Sequence, residues 1–437
     1  MTTVVRTNRL LALLILSALL GLSILLEGCN DRCTESFSYT YFEPVYTPLA
    51  TIRAGVKQES PRELQGLGKI YFKDGYLFVN QPGEGIHVID NRDPENPVTK
   101  SFITIPGNYD LAIRNTTLYA DSYIDLVALD ISDLEQVKEI ARMENIFSGY
   151  NSLGFYASAE MGVVTDWVEK QVTTEESSCD YPVMFETWGG FRWGGGIFMA
   201  NAASFDSKAA IAPGNTTGVG GSMARFTISN DYLYMLDGGN IHAAEISVAS
   251  APEKKSSQYV MWDIETIFPY EDKLFIGARS GMHIYDLATP ENPQKISTYS
   301  HINSCDPVVV SGDYAYVTLR SGTTCEGFSN QLEVLDISNL ASPSLVKVYP
   351  MHNPHGLGVD HPVLFICDGD DGLKIYDATD KLKIDQNLIK HYKNIHAYDA
   401  IPLGGVLMLI GEDGIFQYDY SDLNNISLLS HIQVQDE

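Results

Sequence analysis

Met282-His283-Ile284-Tyr285-Asp286, followed by Leu287-Ala288-Thr289-Pro290-Glu291-Asn292-Pro293, is the stretch on which the fold turns. A short run of β-forming residues ends in Asp, and a polar turn containing proline follows. The pattern returns at Ile86-His87-Val88-Ile89-Asp90 with the turn 91–97, and at Leu332-Glu333-Val334-Leu335-Asp336 with the turn 337–343. Weaker copies end at Asp130, Asp377 and Asp419, and Glu245 fills a degenerate one. Repetition at about 40 residues in an all-β pattern means small sheets stacked around an axis, a β-propeller.

Each unit reads as four strands. Around the third copy they are 306–310, 314–319, 331–336 and 344–349. The first three are almost continuously apolar, as expected of strands covered on both faces, and the fourth alternates. The long interval between Asp130 and Glu245 is read as holding one more unit, starting near Tyr150 and carrying an insertion at about 168–195. That gives eight blades. Seven is the alternative, if the stretch is an excursion. The segment 46–56 is expected to add a strand to the last blade and help close the ring. The run through Gly214-Asn215-Thr216-Thr217-Gly218 reads as flexible loop.

The repeated Asp has a mechanical reading. Its short carboxylate accepts backbone N–H bonds in the turn after the strand, and Ser or Thr two residues later (Ser132, Thr289, Ser338, Thr379) does similar work. The carboxylates are therefore read as structural and not as a catalytic ring.

Units of the form Gly-Leu-x-Ile-x-Asp-x-Ser-x-Pro-x-x-Pro resemble the LVIVD repeat of bacterial and archaeal cell-surface proteins, most clearly at 85–97, 281–293 and 372–379. Asp110, Asp306 and Asp399 match the Asp that commonly precedes the first strand of that repeat. The resemblance spans roughly 65–432 and implies the propeller fold. It implies little about activity, because propellers host unrelated functions.

The N-terminus resembles a bacterial lipoprotein signal. Arg6 and Arg9 precede an uncharged apolar run at 10–26, which stops at Leu26-Glu27-Gly28-Cys29. Glu27 departs from the family pattern, which prefers a small or apolar residue there. The resemblance implies removal of 1–28, lipidation of Cys29, a tether over 29–48, and a propeller domain over 49–437. It also implies attachment in the cell envelope of a diderm bacterium, with the outer membrane expected and the periplasmic or the extracellular side left open. Retention of 10–26 as a signal anchor is the alternative; about 17 residues lies at the lower limit for spanning a bilayer.

The chain of 437 residues carries a net charge of −27, with 25 Tyr and 17 Phe but only 29 Lys and Arg together. Such a surface repels nucleic acid, whose binding requires phosphate neutralisation. Among the cysteines, Cys305 and Cys325 flank a predicted hairpin and form the best disulfide pair in an exported chain. Cys33 and Cys179 are a second candidate pair, and Cys367 reads as a buried thiol. No Cys spacing suggests a metal site.

Three places are candidates for chemistry. His301, Asn303, Asp306, His352, His355, His396 and Asp399 all lie just before or at a first strand, where they can converge at a channel mouth as an acid–base or metal-binding group. The alternative for them is a solvated polar rim. Trp188, Phe191, Arg192 and Trp193, in the inserted segment, are residue types enriched where partners bind. The turn Asp368-Gly369-Asp370-Asp371-Gly372 has the composition of a calcium loop but occupies the place of ordinary turns in other units, so no cofactor is expected there, with a divalent cation as the alternative. No G-x-S-x-G, H-E-x-x-H or Walker loop occurs. The expected function is a membrane-anchored, non-enzymatic scaffold for a protein or glycan partner. The alternative is an extracytoplasmic polysaccharide lyase or hydrolase working at the channel mouth.

Overall fold

The computed structural model describes residues 35–148, 157, 160–176, 207–208, 217–301, 307–322 and 329–434. It is a propeller of seven blades, each an antiparallel sheet whose four strands follow one another in chain order. The first strands, lining the axis, are Ile70–Lys73, Leu111–Arg114, Phe226–Ser229, Ile264–Tyr270, Val308–Ser311, Leu357–Asp360 and Ala397–Leu403 for blades one to seven. The expectation of eight blades is corrected to seven. Among the described residues of 149–216 there is no four-stranded sheet. This stretch lacks the Asp-turn signature, and its length alone suggested a further unit.

Blade four shows why the repeat folds as it does. Its second and third strands, Lys273–Ala278 and Gly281–Asp286, are buried at five of six positions each, while the outer strand Gln294–Ser300 is half-exposed. Neighbouring blades cover the inner strands on both faces, so side chains of both faces must be apolar. The glycine that opens the third strand is required sterically. Gly281 has φ +153°, and a Cβ there would stand 2.1 Å from the Tyr299 carbonyl oxygen of the outer strand; Gly85, at φ +152°, would meet Ile103 in the same way at 2.0 Å. Each outer strand also carries a register shift, such as that between Val88 and Ile89 in blade one, which twists the blade edge away from flat pairing.

The strands alternate in direction, so first and third strands begin on one face of the ring and end on the other. The crossover face carries the links between blades and the turns from second to third strands. The turn face carries the Asp-ended third strands.

The ring closes by side-chain packing of blade seven on blade one. Ile401, Met408 and Ile410 share a core with Ile70, Leu77 and Val79. Asn91 and Gln417, both buried, exchange two amide hydrogen bonds of 2.8 and 2.7 Å across this seam. Leu64 forms a parallel bridge with Val434. The segment 46–56 does not join the last blade. It holds a short helix, Leu49–Arg53, and the following strand Lys57–Glu59 pairs with the outer strand Val98–Thr104 of blade one.

The chain divides into two compact units, Thr47–Val163 with Gly195–Glu437, and Met1–Tyr46 with Val164–Gly194. The second unit contains a two-stranded sheet of Glu35–Thr47 with Val163–Glu176. Thus the stretch read as a tether carries a strand, for which its alternating Tyr39-Thr40-Tyr41-Phe42 is well suited. Among the described residues no helix is long and apolar enough to cross a membrane.

Candidate functional site: the crossover face and its channel

The Asp that ends the third strands works as its position suggests. On the turn face, Asp130 Oδ1 accepts the Ser132 N–H at 2.9 Å, and Asp336, Asp377 and Asp419 accept the N–H two residues on at 2.9, 2.8 and 2.8 Å. The Ser338 hydroxyl adds a second bond to Asp336 at 2.6 Å. These bonds hold the Asp130, Asp336, Asp377 and Asp419 carboxyls below their ordinary range.

A segment of the chain itself lies on the axis. Strand Val219–Ser222 pairs with the first strand of blade one, with Val219 opposite Phe72 and Gly220 opposite Tyr71. The Gly218 N–H donates to Ile113 O of blade two at 2.9 Å, and Ala224 O accepts from Ile267 N of blade four at 2.9 Å. Leu357 N of blade six donates to Ser222 Oγ at 3.2 Å. Bonds to four blades around the ring place this segment on the axis. Two glycines allow it: a Cβ on Gly218 would come within 2.3 Å of the Tyr71 ring, and one on Gly220 within 2.9 Å. Of the stretch 214–218, expected as flexible loop, 214–216 lie outside the described residues, while Thr217 bridges Arg114 and Gly218 is held as above.

The crossover between blades two and three therefore contains the whole of 149–216. It is fixed at its start, where Asp237 accepts the Ser148 N–H and, at 3.0 Å, the Ser148 hydroxyl. Asp121 and Asp368, at or next to the ends of other second strands, do the same for crossovers: Asp121 takes the N–H groups of Tyr109 and Asp110 at 2.8 and 2.9 Å, and Asp368 those of His352 and Asn353 at 3.0 and 2.8 Å.

Part of the expected mouth cluster does converge. The His355 and His396 rings lie 6.0 Å apart, and Tyr398 stands 5.3 and 4.8 Å from them. His396 Nδ1 lies 3.1 Å from Asp370 and 3.0 Å from Glu412. Arg320 Nη1 stands 3.1 Å from His355 Nδ1, and burial, reinforced by this cation, pushes the His355 ring down to about 2. The other members behave differently. Asp399 is buried and accepts the Ala400 N–H at 2.7 Å, the same strand-opening bond that Asp110 makes with Leu111. His352 is engaged through its backbone, and His301 lies against Tyr299 with ring centres 6.3 Å apart. Asn303 and Asp306 lie outside the described residues, as do Cys29, Cys33, Cys179, Cys305, Cys325, Trp188, Phe191, Arg192 and Trp193. Cys367 is fully buried.

The acidic turn 368–372 is satisfied by cations of the chain. Lys374 Nζ bonds Asp368 and lies 2.6 Å from Asp371, with His391 3.6 Å from Asp371. Among the described residues no three His, Cys, Asp or Glu side chains are grouped to hold a metal ion.

Sequence reading missed two features. Arg320 comes from blade five and Tyr398 and Glu412 from blade seven, and they carry no shared motif. The position three residues before the strand-ending acid is polar in five blades, as His87, His242, His283, Glu333 and Lys374. That signal lay in the aligned repeats. His87 bonds Gln81 at 2.9 Å and His283 bonds Thr298 at 2.9 Å. A third buried polar group is the ion pair of Lys69 with Asp110, 2.6 Å long, beside the axial segment; Arg225 N donates to the same carboxylate at 2.5 Å.

A family model for the LVIVD repeat matches residues 304–350, which spans the strands of blade five. The chain thus carries an LVIVD repeat in blade five of a seven-bladed propeller. No curated protein matches it. Among solved structures, this propeller is similar to the periplasmic gluconolactonase PpgL of Pseudomonas aeruginosa, at 10% identity over 84% of this chain and 96% of that one, with a TM-score of 0.51. It is also similar to the computationally designed Ika8 protein, at 10% identity over 87% and 94%, with a TM-score of 0.50. At such identities the likeness is one of fold.

Proposed function

We propose that this LVIVD-repeat propeller is a lipid-anchored scaffold of the cell envelope, tethered through Cys29, that binds a protein or glycan partner without turning it over. The observation that carries this reading is the axial segment. Strand 219–222 on the axis, with the Lys69–Asp110 pair engaged beside it, supports reading the crossover face as a binding surface. The lipobox-like Leu26-Glu27-Gly28-Cys29 supports the anchor, with the outer membrane as the expected site.

The anchor is tested by fatty-acid labelling and fractionation. Wild type is expected to take up label and sediment with membranes, and Cys29→Ser to lose both; a labelled Cys29→Ser protein refutes the anchor. The non-enzymatic part fails if purified protein degrades a polysaccharide and loses that activity on His355→Ala or Asp399→Asn. The alternative, an extracytoplasmic polysaccharide lyase or hydrolase, draws on His396 between Asp370 and Glu412, an imidazole and two carboxylates open to solvent.

A further inference from the structure

Among the described residues, the two most exposed large hydrophobic side chains are both aromatic and lie three positions apart at one crossover. Tyr259, 68% exposed, ends the outer strand of blade three, and Trp262, 67% exposed, lies on the link to blade four that follows it. Singly scattered exposed hydrophobics are ordinary on any protein surface. Two aromatics three positions apart, each more exposed than any other large hydrophobic among the described residues, are a narrower pattern. The exposed aliphatics Val98, Val248, Leu345, Leu382, Leu388 and Leu428 fall at the turn face or at the starts of outer strands beside it, while Met161, 50% exposed, lies on the crossover between blades two and three.

The presentation of Tyr259 is specific. A Cβ on Gly239 would come within 2.8 Å of its ring, so the bare glycine backbone supports one side of the ring and the rest is open. Next to Trp262 in sequence, Asp263 O accepts the Arg279 N–H at 3.1 Å, which brings a partly exposed ion pair to this link. Glu265 and Arg279 pair at 2.8 Å and are both partly exposed. Asp263 is 96% buried and keeps Oδ1 without a partner while Oδ2 accepts the Ser280 N–H at 3.0 Å. Flat aromatic faces for the C–H side of a pyranose, with carboxylate and guanidinium groups for its hydroxyls, are what sugar recognition uses. Protein hot spots instead collect aromatics in desolvated apolar patches ringed by further contacts. The net charge of −27 disfavours an acidic polymer.

We infer that the crossover bearing Tyr259 and Trp262 is a binding site for a neutral glycan. This rests on the scaffold reading and names the partner class for its crossover face.

The test is calorimetric titration of the full-length protein, in a detergent without a sugar headgroup. The probes are hexasaccharides of α-1,4-glucose, β-1,4-glucose, β-1,4-mannose and N-acetylglucosamine, with polygalacturonate as the acidic control. At least one neutral hexasaccharide is expected to bind with Kd on the order of a millimolar or tighter, and Trp262→Ala and Tyr259→Ala are each expected to weaken it by about tenfold, roughly 1.4 kcal/mol. Both residues are exposed, so unchanged circular dichroism is expected of the variants. Absence of binding by all four series at about ten times that concentration, or binding undiminished in both variants, overturns the site. Binding lost only on deleting 177–206 overturns it while leaving the scaffold reading intact. Cleavage of a bound oligosaccharide overturns the scaffold reading instead.

Discussion

The two faces of the ring are built from the same repeats and behave differently. On the turn face, the same device recurs blade after blade: a strand-ending Asp accepts the N–H two residues on, and aliphatic side chains stand exposed nearby. On the crossover face the links differ from blade to blade. They hold a buried ion pair, an axial segment, an imidazole between two carboxylates and two exposed aromatics. Repetition specifies the ring, and departures from it concentrate where each link meets the channel. This division matches the usual separation between a rigid scaffold and the loops that carry function.

The comparison breaks if carboxylates on the two faces matter equally. The largest effect is expected on the crossover face. Asp110→Ala leaves the Lys69 ammonium buried beside the axial segment without its partner, and is expected to cost about 3–5 kcal/mol, read as a lowered urea midpoint. A loss no larger than that of a surface substitution refutes the structural role given to this pair.

The second test separates the blade interiors from the turns by pH. Burial pushes the His87 and His283 rings down to about 4, from an ordinary value near 6.5. The native state therefore favours neutral rings. The stability they confer is whole above about pH 6.5 and is lost as the pH falls towards 4. Denaturation midpoints followed across that window are expected to decline in wild type and to decline less in His283→Gln. The turn carboxylates are held below their ordinary range, so their contribution is retained through this window and lost only under stronger acid. A His283→Gln variant with the wild-type slope contradicts the assignment.

The smallest effect is expected on the turn face. Asp336→Ala removes the bonds from the Ser338 N–H and hydroxyl at an exposed turn, and water replaces both. Its urea midpoint at neutral pH is expected to lie close to wild type. A collapse comparable to that of Asp110→Ala removes the distinction between the faces.

The turn face was legible in the sequence because its interactions are local: donor and acceptor lie two residues apart, and the pattern recurs. The blade count was misread for the same reason. The interval 149–216 carries no Asp turn, and sequence length does not distinguish a degenerate blade from an excursion. The axial role of 218–224 was illegible because its partners, Ile113, Ile267 and Leu357, lie in three different blades. Glycines that read as loop are there to clear the Tyr71 ring. The mouth cluster was partly legible: His355 and His396 meet through matching places in adjacent repeats, whereas Arg320 and Tyr398 joined them through tertiary packing alone.

The axial strand also bears on how the chain acquires its fold as it is made. The four strands of blade one are complete by Thr104, but the partner of its inner edge, Val219–Ser222, lies over a hundred residues downstream, and the blade that closes against it begins at Ala397. A chain synthesised or exported from its N-terminus thus holds an unpaired inner edge and an uncovered apolar flank until almost all of it has emerged. Distant pairings of this kind slow folding and leave edges open to misassembly. The propeller's demand on chaperones is set by its first blade, which is started earliest and completed last.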